Sequence, residues 1–265
     1  MGIDTHIADY TFDAALAALA WQVELGVDEV MVEAAIDRYA LPEKQEPVIA
    51  KAKAAAPVVQ ELAKVDTVAA ANAAANACTD LVALRAALEA FDHCDLKKGA
   101  RNLVFADGNP TAPLMVIGEA PSREEGREGR PFVGPAGALL DKMLAAIGHA
   151  RGEKEVAARA AYLTTALPWG PPGDRDPTDE EVAMMQPFLL RHIALVKPRV
   201  IIAMGNTPCA ALLGQRGVTR LRGIWATGQS IPVMPMVHPD ALLRNPAGKR
   251  DAWADLLAIQ ARLNG

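Results

Sequence analysis

The chain has 265 residues, 51% of them apolar, with a mean hydropathy of +0.09 and a formal net charge of −5. That length holds one large domain, or one domain with an extension, and either buries a sizeable core. The composition is that of a globular, soluble protein, and the acidic balance gives no global attraction to nucleic acid, although a basic patch can sit on an acidic protein. No run of eighteen apolar residues occurs, and Met1 to Tyr10 has neither a basic start nor an apolar core, so neither a membrane span nor a signal peptide is expected. Cys78, Cys94 and Cys209 are far apart and form no CxxC pair, which argues against a disulfide framework and a sequence-evident zinc site. The expected compartment is a reducing cytoplasm.

From Thr11 to about Tyr39, apolar residues recur at helical spacing with a break near Gly26, which reads as two helices. Residues 40 to 77 begin with Pro42, Glu43 and Pro47 and continue as an alanine-rich tract poor in bulky side chains. Such a tract reads as a linker or a loosely attached helix. The domain boundary is placed near residue 78, with 1–80 as a helical and Ala-rich extension and 81–265 as the main domain.

After a helix over Leu81 to Phe91, four apolar runs suit strands: Leu114 to Ile117, Tyr162 to Leu167, Val200 to Met204 and Ile231 to Val237. Helical patterns lie between and after them, over 136–148, 178–197, 206–214 and 248–263. The third strand's leading helix opens on Thr178 and Glu181, a capping box. Strands alternating with helices imply an α/β fold of three α/β/α layers around a central, mostly parallel four-stranded sheet. Arg222 to Ala226 and Ile231 to Met236 also suit a local hairpin. The most basic stretches, Lys97 to Arg101, Arg216 to Arg222 and Arg244 to Arg250, each read on their own as solvated charge.

Gly118-Glu-Ala-Pro-Ser122 and Gly129-Arg-Pro-Phe-Val-Gly-Pro-Ala-Gly137 follow the first strand as a loop of about eighteen residues, a length usually reserved for function. Ligands in such sheets bind beyond the carboxyl ends of the strands. Glu119 to Glu125, Pro171 to Arg175, Gly205-Asn206-Thr207 and His238-Pro239 all fall at that end, which collects two glutamates, an aspartate, a histidine and Phe132. Neither GxGxxG nor GxxxxGK[ST] is present, nor a GxSxG elbow, which removes the usual dinucleotide, triphosphate and hydrolase fingerprints. His6, His93, His149 and His192 read as surface or structural, whereas His238 ends a buried strand. Taken singly, Glu119 and Asp174 also read as helix caps or as partners of Arg123 or Arg175.

These segments, with Pro171-Pro-Gly-Asp-Arg-Asp-Pro-Thr and His238-Pro-Asp-Ala-Leu-Leu-Arg-Asn-Pro, resemble the uracil-DNA glycosylase superfamily, and family 4 most closely, over roughly residues 88 to 263. The resemblance implies a monomeric DNA repair enzyme that hydrolyses uracil from uracil-containing DNA and leaves an abasic site, with no membrane partner. It implies catalytic roles for Glu119, Glu125, Asp174 and His238, and a uracil pocket of Gly118, Ala120, Phe132, Thr165 and His238. Phe132 matches the aromatic that stacks on the flipped base, and His238 the donor to uracil O2. DNA contacts are implied for Ser122, Pro135, Gly137, Asn206 and the wedge Leu242-Leu243-Arg244. Family 4 carries four cysteines that ligate a [4Fe-4S] cluster. The matching positions here are Phe91, Cys94, Trp169 and Met185, so no iron-sulfur cluster and no other cofactor is expected. Thr165 stands where the family has Asn, Asp174 where Asn is more frequent, Ser122 where Gly is usual and Gly126 where Asp is usual. These departures leave a second reading, a catalytically weak or silent protein that binds uracil-containing or abasic DNA. No lysine sits in the motifs, so a Schiff-base lyase step is not indicated.

Overall fold

An apolar run without polar alternation suits a strand covered on both faces, and the structure uses each of the four runs in that way. A computed structural model of the chain describes Thr11, Leu16, Ala17, Ala20, Trp21 and residues 66–265. The strands are β1 (Asp107–Gly108), β2 (Leu114–Gly118), β3 (Ala161–Thr165), β4 (Val200–Met204), β5 (Ala226–Gly228) and β6 (Ile231–Met236). The helices are α1 (Thr67–Ala77), α2 (Leu81–Ala90), α3 (Leu96–Gly99), α4 (Arg123–Glu128), α5 (Gly134–Ala146), α6 (Asp179–Val196), α7 (Asn206–Leu213), α8 (Val218–Leu221), α9 (Pro239–Arg244) and α10 (Lys249–Asn264).

Among the described residues the sheet has six strands in the order β1-β3-β2-β4-β6-β5, rather than the four expected. β2, β3, β4 and β6 are the expected parallel set. The additions are two short antiparallel edges: β1 on β3, and β5 on β6 as the local hairpin. The hairpin turns at Gln229 and Ser230, both at positive φ, the conformation a two-residue turn between twisted strands requires.

Side-chain alternation along the buried strands divides the core in two. Met115, Ile117, Tyr162, Ile201, Ala203 and Val233 face the layer built by α1, α2 and α6. Leu114, Val116, Leu163, Ile202, Met204 and Met234 face α5 and α10. The predicted capping box holds: Glu181 N–H donates to Thr178 Oγ1 at 3.2 Å and Thr178 N–H to Glu181 Oε2 at 2.8 Å.

Residues 60–265 form one compact unit and 1–59 another. The two helices expected over 11–39, and the tract 40–65, lie almost wholly outside the described residues; Leu16, Ala17, Ala20 and Trp21 are helical. Residues 67–77 of the alanine-rich tract are not a linker: they form α1, capped by Asp66, with Ala71 and Ala75 fully buried against the core. Small side chains suffice there because they let two helix axes approach closely. Among the described residues no helix is long and apolar enough to cross a membrane.

α10 is fastened to the chain before β5 by Arg222, whose Nε donates to Asp255 Oδ2 at 3.0 Å while a second guanidinium nitrogen reaches Oδ1. Asp255 is 2% exposed, so its charge depends on that partner. Asp255→Ala is expected to destabilise the protein by about 3 kcal/mol, the lower end for removing one member of a buried pair. Urea denaturation with an unchanged m-value checks this.

Candidate active site

The chain passes from β2 to β3 on one side and then, by way of α6, to β4 on the other. That reversal opens a crevice at the carboxyl ends of β2 and β4, the place where open α/β sheets bind ligands. Glu119, the residue after β2, and Asn206, at the start of α7 after β4, meet across it: Asn206 N–H donates to Glu119 Oε1 at 2.8 Å. Gly205 is at φ 107, and a Cβ there would overlap the Glu119 carboxyl group. Glu119 therefore does cap a helix, while its Oε2 has no hydrogen bond among the described residues. Asn206 Oδ1 accepts from Gly217 and Val218 N–H at 3.0 and 2.9 Å, which ties α7 to α8.

The crevice deepens into a cavity of about 580 Å³ lined by Glu119, Ala120, Ser122, Glu125, Phe132, Pro135, Asp174, His238, Leu243 and Arg244, among others. Most of the expected site thus converges. The eighteen-residue loop proves to contain α4, because Ser122 and Glu125 form a second capping box, at 3.3 and 2.7 Å. The S-x-x-E spacing carries that signal in the sequence. Glu125 Oε1 also accepts from Phe132 N–H, so both carboxylate oxygens are engaged by backbone donors.

Phe132 is 2% exposed and sits at φ 51, left-handed backbone that a bulky residue adopts only when held there. Arg151 supplies the other hold, a part-buried residue that nothing in the local sequence marks. Its guanidinium donates to the carbonyls of Phe132, Pro131 and Gly137 at 3.0, 3.2 and 3.4 Å, and is balanced by Asp141 and Asp107 at 2.7 and 3.2 Å. A Cβ on Gly118 would lie 2.7 Å from Phe132 Cζ, and one on Gly137 would overlap the Phe132 carbonyl. Gly118 and Gly137 thus act on Phe132 from behind and do not line the cavity.

The Phe132 and His238 rings stack, with centroids 5.6 Å apart and planes 19° from parallel. His238 caps α9, its Nδ1 accepting Asp240 N–H at 3.3 Å. A neutral ring with Nδ1 accepting carries its proton on Nε2, so the side chain brings a hydrogen-bond donor to the cavity. Burial pushes the imidazole below its usual value; Glu119, Glu125 and Asp240 oppose this without reversing it.

Two more expected residues, Thr165 and Leu242, are placed elsewhere. Thr165 is buried and its hydroxyl donates to the Leu167 carbonyl at 2.7 Å; it does not line the cavity. Leu242 is 2% exposed in the α5–α10 core, because the wedge is the last turn of α9 and its helical register turns Leu242 inward. Leu243 and Arg244 remain at the cavity mouth. Asp174 lines the cavity at φ 54, and Arg175 pairs with Glu181 instead of Asp174.

The uracil DNA glycosylase superfamily model matches residues 105–257. The chain belongs to that superfamily. It is 34% identical over 175 residues to the type-4 uracil-DNA glycosylase of Archaeoglobus fulgidus, covering 63% of this chain and 84% of the relative. With the type-4 enzyme of Thermotoga maritima the identity is 36% over 157 residues, 57% of this chain and 77% of the relative. A type-5 uracil-DNA glycosylase of Pyrobaculum aerophilum is 32% identical over 146 residues, 51% and 64% of the two chains.

The residues at the four family-4 cluster positions do not fit an iron-sulfur cluster. Phe91, Trp169 and Met185 bring no thiolate and are packed, with Cys94, in one apolar core. Phe91 meets Phe188 edge to face at 5.2 Å, and burial pushes the Cys94 thiol up, away from the ligating thiolate. Among the described residues no three of His, Cys, Asp or Glu gather as a metal site.

Two expectations follow. Arg151→Met leaves three carbonyls without their donor and is expected to cost about 1–3 kcal/mol in denaturation experiments. An NMR titration of His238 is expected to give a midpoint below its usual 6.5. Because the folded value is the lower one, the unfolded chain binds more protons below about pH 6.5, so this residue's effect is a loss of stability as pH falls through that window.

Proposed function

We propose that this chain is a monofunctional uracil-DNA glycosylase that hydrolyses the bond between uracil and deoxyribose in DNA and leaves an abasic site. The observation that carries the reading is the convergence of Phe132, His238 and Glu119 on one cavity at the sheet's reversal point. The names of the type-4 relatives agree with it.

In this reading an extruded base stacks on Phe132. The neutral His238 donates from Nε2 to uracil O2 as charge develops on the departing base, which is where a preorganised donor has its largest effect. The unoccupied Oε2 of Glu119 orients the water that meets the oxocarbenium-like sugar and stabilises its positive charge. Glu125 acts through Phe132, whose backbone it holds. Asp174 is an acceptor at the rim, and Ser122, Pro135, Leu243 and Arg244 meet the strand at the mouth. Among the described residues no lysine lines the cavity, in keeping with hydrolysis without a lyase step. The protein works as a monomer without an iron-sulfur cluster, its cluster volume filled by Phe91, Trp169 and Met185.

The position of Thr165 favours a second reading. With its hydroxyl bound to Leu167, β3 sends no side-chain donor to the base, and Asp174 offers only acceptors. A protein that binds uracil-containing or abasic DNA with little chemistry has the same outline.

Single-turnover cleavage of a uracil oligonucleotide decides between them. The wild type is expected to cleave, with His238→Ala slower by about 10²–10³-fold, the usual effect of removing one such donor. Iron analysis of the same preparation is expected to show far less than one atom per chain. Tight binding without cleavage supports the second reading, and four irons per chain refutes the cluster-free one.

A further inference from the structure

Beside the cavity runs a second depression of about 510 Å³, bordered by Arg101, Arg123 and Arg127. It shares Pro121, Ser122, Arg123, Glu124, Pro171 and Asp174 with the cavity, so the two lie side by side against a common wall. We propose that this groove carries the DNA strand flanking the extruded base, with Arg101, Arg123 and Arg127 on its phosphates. The proposal rests on the reading of a DNA substrate and adds where the rest of that substrate lies.

Arginines elsewhere around the cavity are neutralised. Arg130, Arg151, Arg175 and Arg244 each pair with a carboxylate. Arg101, Arg123 and Arg127 form no ion pair among the described residues, and all three are exposed. Arg123 and Arg127 are four apart on α4 and so share one helix face. Asn102 fastens the end of that helix to the opposite wall, its Nδ2 donating to the Gly126 and Arg127 carbonyls at 3.0 and 2.8 Å. Arg101 is adjacent to that anchor. Three unneutralised guanidinium groups are thereby held along one channel.

Much of the remaining lining carries no polar side chain (Gly99, Ala100, Gly126, Gly170, Pro172 and Gly173), and the three arginines outnumber its two carboxylates, Glu124 and Asp174. Such a floor admits a sugar-phosphate backbone closely and reads no base edge. Guanidinium groups over a side-chain-poor channel suit a polyanion bound without regard to sequence. They also explain how an acidic chain holds DNA, by a local stripe of charge set against the total.

The test is fluorescence anisotropy of single-stranded oligonucleotides, with and without a uracil, over a salt series. Each phosphate contact on a single strand contributes about 0.7 to the slope of log affinity against log salt. The R101A/R123A/R127A variant is expected to lower that slope by about 2. A charge-matched control, K142A/K154A/R159A, lines neither depression and is expected to keep the wild-type slope. Shortening the strand on one side of the uracil is expected to weaken wild-type binding more than shortening the other, and the groove variant is expected to lose that asymmetry. An unchanged slope in the groove variant, or an equal fall in the control, overturns the proposal. The slope is read on uracil-free strands as well, so absence of cleavage refutes the functional reading alone.

Discussion

A left-handed phenylalanine is the constraint on which the site depends. Phe132 at φ 51 costs on the order of 1–2 kcal/mol relative to ordinary backbone. It persists because both sides of the residue are gripped, the N–H by Glu125 and the carbonyl by Arg151. Each grip has a second duty. Glu125 closes the capping box that starts α4, and Arg151 links the loop after α5 to the edge strand β1 through Asp107. The ring direction, the short helix and the sheet edge are therefore set together, with Gly118 leaving space for the ring and Gly137 for the carbonyl.

The other fixed point is the bond between Glu119 and the first N–H of α7, across the place where strand order reverses. A carboxylate at that helix start satisfies an orphan donor and keeps its charge on the cavity floor. In the function we propose, structural capping and a chemical role coincide in this one side chain, one oxygen for each. The same economy holds for His238, whose Nδ1 caps α9 and so determines which nitrogen carries the proton.

The sheet was legible because fully covered parallel strands must be apolar at every position, and Thr178 with Glu181 announced α6 in the same plain way. β1 was not, since an edge strand of two residues carries no periodic signal, and β5 was legible only as one arm of a local hairpin, its three residues lying at the end of the expected run and beyond it. α4 shows the S-x-x-E pattern but lacks the apolar run that normally confirms it. The cavity was legible as motif order, which places Glu119 and His238 just after strand ends and Phe132 in the loop that follows the first of them. It was not legible as side-chain direction: whether Thr165 bonds to its own chain, or which leucine of α9 turns inward, depends on local register. Arg151 acts across nineteen positions on Phe132, a distance that sequence spacing does not reveal.

The cavity rim has one more effect. Six carboxylates line it, against three arginines of which Arg175 and Arg244 are already paired. A free nucleotide that entered base-first would carry its own phosphate into this acidic mouth and be repelled, since like charges in a partly desolvated cleft interact strongly. A base presented by a polymer has its phosphates tethered outside the rim. In the function we propose, the crowd of acids therefore favours a base carried on a polymer over a free mononucleotide.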